Sequence, residues 1–215
     1  MKRHTIVSAV LLAASLGLSG CVTLFPKATP VQLYRFGAQA PAVDSKAAST
    51  AAPFNLQRAQ TIFVRSAQSD AILTSTGTET AYLAGSRWVA PAVVLFDEAV
   101  DRALNAAGGP AHVVPRGETG VAGASLKLEV ETFEARYSGA KDASPTVVVR
   151  VHGLMVRMSD RQLLAERTFD VQKPADGNRV GAIVQAFDAA TTDAIGQVVA
   201  WAEVQGEATA TPAAR

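Results

Sequence analysis

Apolar residues recur along this chain with two periods, and the periods change in blocks. Alternation marks half-buried strands, and spacing of three to four marks amphipathic helices. Gln32–Gly37 reads as a short first strand. Thr61–Ala67 reads as a second, with Ile62 and Val64 alternating against Phe63 and Arg65. Ala71–Ser75 and Thr80–Leu83 read as short strands around a turn at Gly77. Pro91–Ala107 is the first predicted helix. Pro91 suits the first helical position, and Val93, Phe96, Val100, Ala103, Leu104 and Ala107 share one side. Asp97, Asp101 and Asn105 share another, which reads as a solvated face. Glu98 precedes Arg102 by one turn, the favourable order for an ion pair worth about 0.3 kcal/mol. Gly108-Gly109-Pro110 stops the helix, and Ala111–Pro115 reads as a brief strand.

Three longer strands follow. Ser125–Tyr137 begins with Leu126, Leu128 and Val130 on one face, then continues with Phe133, Ala135 and Tyr137 in the opposite parity. A period of two changes parity only by an added residue, so a β-bulge is expected near Glu131–Thr132. Pro145–Met158 puts Val147, Val149, Val151 and Met155 on one face, with Val148, Leu154 and Val156 on a second, partly covered one. After a turn at Ser159-Asp160-Arg161, Leu163–Gln172 carries Leu163, Ala165, Phe169 and Val171 on one face. Short links make these three an antiparallel meander. The last helix is expected from about Arg179 to Val204, capped by Asp176 or Asn178. Its stripe is Val180, Ile183, Val184, Phe187, Ala194, Ile195 and Val198. The predicted class is α+β: an antiparallel sheet with a long three-strand meander and two amphipathic helices packed on one face.

The first twenty residues follow another logic. Lys2 and Arg3 precede an uncharged apolar run from Ile6 to Leu18, then the small residues Ser19 and Gly20. The run is short for a hydrocarbon core of about 30 Å, and the layout is that of a secretory signal peptide. Leu18-Ser19-Gly20-Cys21 resembles the bacterial lipobox. The resemblance implies cleavage between Gly20 and Cys21, a diacylglycerol thioether on Cys21 and an acylated new amino group. Cys21 is the single cysteine, and an unpaired thiol in an oxidising compartment is a liability that acylation removes. Val22, where an aspartate favours inner-membrane retention of lipoproteins, points to the outer membrane. The expected organisation is signal peptide over 1–20, acylated tether over 21–30, domain over 31–204 and tail over 205–215.

Charge and composition then narrow the function. Twenty basic residues face nineteen acidic ones with no basic block, so nothing suggests nucleic acid. His4 leaves with the signal peptide, and His112 and His152 stand alone in apolar strand contexts. No HExxH, CxxC, GxSxG or Walker motif occurs. The chain is therefore expected to be no enzyme and to need no metal or cofactor beyond the acyl groups on Cys21. Tyr82, Leu83, Arg87 and Trp88 stand in a Gly-containing segment before the first helix. They read either as core packing or as a partner interface, where aromatics and Arg are enriched.

From YRFG at Tyr34–Gly37, through LTSTGTETAYLAGSRWVAPAVVLFDEAVDRAL, to RVGAIVQAFDAATTDAIGQVVAWA, the chain resembles the ABC-type transport auxiliary lipoproteins, the PqiC-like proteins. The resemblance spans most of the mature chain. It implies an accessory subunit at the outer-membrane end, periplasmic face, of a system moving lipids between the two membranes. The implied partners are an ABC transporter and a periplasmic MCE-domain protein, with a homo-oligomeric ring as the implied assembly. The alternative is a stand-alone periplasmic carrier lipoprotein with its own apolar cavity.

Overall fold

The computed structural model describes residues 30–39, 53–114, 122–140 and 142–210, with side chains as far as Gly206. The chain divides at Pro30, and the described elements belong to the unit Val31–Arg215. They are β1 (Gln32–Tyr34), β2 (Phe54–Arg58), β3 (Ile62–Phe63), β4 (Ala71–Thr76), β5 (Glu79–Trp88), α1 (Ala92–Ala107), β6 (Ala111–Val114), β7 (Ala124–Tyr137), β8 (Thr146–Arg157), β9 (Leu163–Pro174) and α2 (Val180–Ala210).

All the described strands join one sheet built around β7. One edge of β7 carries β8 antiparallel, and β9 continues the meander. The other edge is covered by three short strands in succession, each parallel to it. Leu56 of β2 meets Ala124, Ile62 of β3 meets Glu129, and Thr74 of β4 meets Ala135. In effect Phe54–Thr76 is one interrupted strand beside β7. β5 pairs antiparallel with β4 and parallel with β1, while β6 lies parallel to β2. The α+β class, the meander and the two helices are as expected. The sheet is mixed rather than antiparallel throughout. Parallel neighbours need a long connection, and between β2 and its parallel neighbour β6 the chain runs through β3, β4, β5 and α1.

The parity change in β7 is a bulge. Val130 pairs with Val151 and Thr132 with Arg150, leaving Glu131 as the added residue. Leu126, Leu128 and Val130 before it, and Phe133 and Ala135 after it, are all buried. A larger irregularity interrupts β4–β5. Ala71 pairs with Arg87 but Leu73 with Tyr82, so Leu83–Ser86 oppose Ile72 alone. Gly85 there takes φ +64°, a conformation that favours glycine. This bulge lets β5 run on to Trp88, beyond the expected end at Leu83.

Other boundaries differ for identifiable reasons. β2 was not anticipated, although Phe54, Leu56 and Arg58 alternate inward with Asn55 and Gln57 outward. The strand expected over Thr61–Ala67 shrinks to two residues, because the chain turns where Ala67 N–H bonds Val64 O. Leu163, expected on the buried face of β9, is half exposed at the strand's first position. Pro91 occupies the N-cap of α1 rather than its first turn, and Gly108 ends the helix at φ +64°. Arg102 donates to Gly37 O rather than standing free for Glu98. Arg179 O accepts the first hydrogen bond of α2, from Ile183 N, so Arg179 takes the capping place given to Asp176 or Asn178. α2 continues to Ala210, into the stretch expected as a tail. Gly206 explains part of that extension. A Cβ there would collide with the ring of Phe54, so only glycine lets helix and ring meet.

Both helices pack on one face of the sheet and on each other. Aromatic rings from four elements and from Phe36, just after β1, fill the space between. Phe133 of β7 lies 5.1 Å from Phe36, 5.3 Å from Phe63 and 4.9 Å from Phe187. Trp88 stands edge-on to Phe36 at 4.9 Å and to Phe187 at 5.3 Å. Such pairs add about 0.5–1.5 kcal/mol each beyond burial. Gly37 pins β1 to this core. Its N–H donates to Asp188 Oδ1 of α2 at 2.7 Å, its carbonyl accepts from Arg102 of α1, and φ is +64°. Among the described residues no helix is long and apolar enough to cross a bilayer.

Candidate functional site

The outer face of the sheet, away from the helices, has two characters. Across the meander it is charged. Lys127, Glu129, Arg150 and Asp170 are exposed there. Arg150 donates to Asp170 Oδ2 through Nε at 2.9 Å and also through Nη2. This guanidinium holds the Asp170 carboxyl below its ordinary range, helped by a bond from Gln172.

Across β1, β5 and β4 the same face is apolar. Directly paired residues share a face. Leu33 pairs with Arg87, Arg87 with Ala71, and Tyr82 with Leu73, two residues on from Ala71. Leu33 is 63% exposed and Tyr82 54%. Val31 at 48% precedes Leu33 by two, and Val89 at 43% follows Arg87 by two. The Tyr82 hydroxyl donates to Ser66 O at 3.0 Å, which fixes the ring at the surface. Arg87 pairs with Asp70 at 2.9 Å, both half exposed.

Of the four residues proposed for an interface, the structure brings two to this surface, Tyr82 and Arg87. Leu83 lies in the bulge, half-buried against the core. Trp88 takes the core-packing alternative and not the interface one: it is 2% exposed and belongs to the aromatic core. Adjacent strand residues point to opposite faces, so once β5 extends through this segment Arg87 outward means Trp88 inward. Val31, Leu33 and Val89 were missed. They look like ordinary strand residues until the β1–β5 register places them outside. Cys21 and the cleavage position after Gly20 lie outside the described residues.

Asp97 and Asp101 do not form a free solvated face. Being one turn apart, both reach the Arg58 guanidinium, which is 2% exposed. Arg58 Nη2 bonds Asp97 Oδ1 at 2.7 Å, Nη1 donates to Thr61 Oγ1 at 3.1 Å, and Nε donates to Asp101. Thr61 Oγ1 in turn donates to Asp97 Oδ1 at 2.6 Å. A buried arginine needs partners of this kind, so the cluster ties the end of β2 to α1. It floors a cleft of about 630 Å³ walled by Glu98, Asp101, Asn105 and Val113. A second cleft of about 320 Å³ lies beside Trp201, Val204 and Arg167.

The titratable groups give no reacting constellation. His112 is exposed on β6, and His152 is half-buried opposite Glu129 and Thr168. Among the described residues no three His, Cys, Asp or Glu side chains gather as metal ligands would. Burial pushes the Glu203 carboxyl up, partly offset by the bond it accepts from Gly109 N–H. Burial likewise raises the Tyr137 hydroxyl, which donates to Asn178 Oδ1 at 2.9 Å.

Solved structures share the architecture. Protein XCC0632 from Xanthomonas campestris, of family DUF330, superposes with a TM-score of 0.72 at 23% identity, covering 84% of this chain and 99% of its own. An uncharacterized protein superposes at 0.61 with 13% identity, covering 80% and 98%. At these identities the likeness is one of fold. No curated protein matches the sequence. The family model for the ABC-type transport auxiliary lipoprotein component matches residues 34–199, from the end of β1 to within α2. That span takes in Tyr82, Arg87 and Val89 of the exposed corner, the Arg58 cluster and the aromatic core, and the chain belongs to this family of transport auxiliary lipoproteins.

Proposed function

We propose that this lipoprotein is the non-enzymatic outer-membrane accessory subunit of an ABC/MCE-type system that moves lipids between the inner and outer membranes. The supporting observation is the conjunction of the family match over 34–199 with Leu18-Ser19-Gly20-Cys21 at the end of an apolar run. One part associates the domain with a transporter, and the other supplies acyl chains that hold it at a bilayer. Two or three chains hold stably where one holds marginally. Lipid tails crossing an aqueous gap cost about 0.8 kcal/mol per exposed CH₂. A domain fixed to one membrane and gripping a conduit rooted in the other closes that gap. Each grip needs only modest affinity, since tethering raises local concentration.

The adaptor reading also suits the clefts better than a stand-alone carrier does. The larger cleft is walled by carboxylates, a poor lining for an acyl chain, and the smaller offers little apolar surface beyond Trp201, Ala200 and Val204. Mild crosslinking in intact cells tests the proposal. It is expected to capture an MCE-domain protein and an ABC subunit, with the lipoprotein in the outer-membrane fraction and native mass spectrometry giving a multiple of the chain mass. Stoichiometric lipid on a monomer, with neither partner captured, overturns it in favour of the carrier. Cys21→Ser is expected to abolish palmitate labelling and membrane sedimentation.

A further inference from the structure

We infer that the outer face of the β1–β5–β4 corner is a lipid-surface contact, lying against the leaflet that carries the acyl anchor. The inference deepens the proposed function and rests on its acylated Cys21. Val22–Pro30, nine residues, are all that separate that anchor from Val31. Fully extended they span roughly 30 Å, an upper bound on how far the start of β1 stands from the bilayer. The element so held near lipid is the one that exposes Val31 and Leu33, with Val89 and the Tyr82 ring on the same corner. Tyr suits a headgroup region, where an apolar ring and a polar tip are both satisfied.

Charge agrees. Arg35 follows Leu33 by two residues, and Arg65 adjoins Ser66, the residue that anchors the Tyr82 hydroxyl. Both arginines are exposed, and among the described residues neither forms an ion pair. Arginine beside an anionic headgroup is drawn to the charged surface. The meander presents the opposite design. Its outer-face arginine, Arg150, is occupied by Asp170, as Arg87 in the corner is by Asp70, and apart from Leu163 at the start of β9 its exposed positions there are mostly polar. The patch chemistry is thus apolar side chains beside Arg35 and Arg65, which form no ion pair among the described residues, the complement of a phospholipid surface.

The test uses the mature, acylated protein in vesicles of phosphatidylethanolamine with a minority of phosphatidylglycerol. The acyl group occupies the chain's single cysteine, so a nitroxide on Leu33→Cys reports the patch and one on Thr168→Cys reports the far side of the same face. The Leu33 label is expected to be on the order of fivefold less accessible to a water-soluble nickel complex than the Thr168 label, as for side chains seated at the acyl boundary. Arg35→Gln with Arg65→Gln is expected to narrow that ratio. Equal accessibility in protein that still floats with the vesicles overturns the inference and leaves the anchor intact. Protein that does not float and carries no acyl mass on Cys21 overturns both. A Leu33 label shielded only after an MCE-domain protein is added makes the patch a protein site and also overturns the inference.

Discussion

Arg150 and Leu33 lie on the same face of one sheet and meet water in opposite ways. Around Arg150 the meander shows what a face looks like when solvent is its partner: charges alternate, and the arginine is paired with Asp170 across strands β8 and β9. Around Leu33 the face is apolar, the tyrosine is held outward, and, though Arg87 pairs with Asp70, Arg35 and Arg65 form no ion pair among the described residues. Inside, the two regions are alike, since both bury aromatic rings in one core. What differs is therefore not stability but what each face meets. Surface apolar groups scattered singly are ordinary, whereas contiguous ones mark contact sites.

That contrast is open to being broken, beginning with the largest effects. Trp88→Ala is expected to lose about 3–5 kcal/mol in chemical denaturation, as for a buried ring, while Arg87→Ala, one residue away, loses at most about 1 kcal/mol because its pair is half exposed. Similar losses at the two positions would mean that the corner's inside and outside are not distinct. Arg58→Ala is expected to cost about 3–5 kcal/mol by removing a buried charge from its partners. Gly37→Ala should cost about 2–3 kcal/mol, since φ is positive and the new Cβ would lie 2.7 Å from Ala99 Cβ. Leu33→Ser is expected within about 0.5 kcal/mol of the parent in denaturant, yet to weaken contact at the corner.

The smallest effects concern pH, and two carboxyls act with opposite signs. Asp170 has a folded pKa below its usual 3.8, so its contribution is present above 3.8 and lost as pH falls through the lower folded value. Thermal midpoints of the parent and Asp170→Asn should converge on acidification. Glu203 is raised above 4.5, so its stabilising share is present below 4.5 and lost as pH rises through the folded value. Glu203→Gln should therefore gain slightly at neutral pH and show no gain in acid. A loss at neutral pH would mean that the bond to Gly109 outweighs burial.

Much of the fold was legible because period and parity are local. The bulge at Glu131 follows from Val130 and Phe133 both needing the inside, three residues apart. The helices follow from stripes that survive in the structure as buried faces. What escaped depended on partners distant in sequence. Phe54–Arg58 alternates plainly, but it is short and ends in an arginine whose burial makes sense only with Asp97 and Asp101 opposite. Those aspartates in turn look solvated until Arg58 is placed. Leu33 and Val89 needed the β1–β5 register, and Trp88 needed the bulge at Leu83–Ser86 that lengthens β5. The lipobox was readable outright, being a chemical signature that requires no fold.

The broken strand along β7 bears on the order in which such a chain can fold. Its segments come early in the sequence, yet their hydrogen-bonding partner arrives only at Ala124, and the ring of Phe54 seats against Gly206 near the far end. A polypeptide emerging N-terminus first, as in synthesis, thus delivers sticky, half-paired pieces well before the residues that shelter them. Topologies so rich in distant pairings assemble slowly, and the waiting intermediate is prone to clumping.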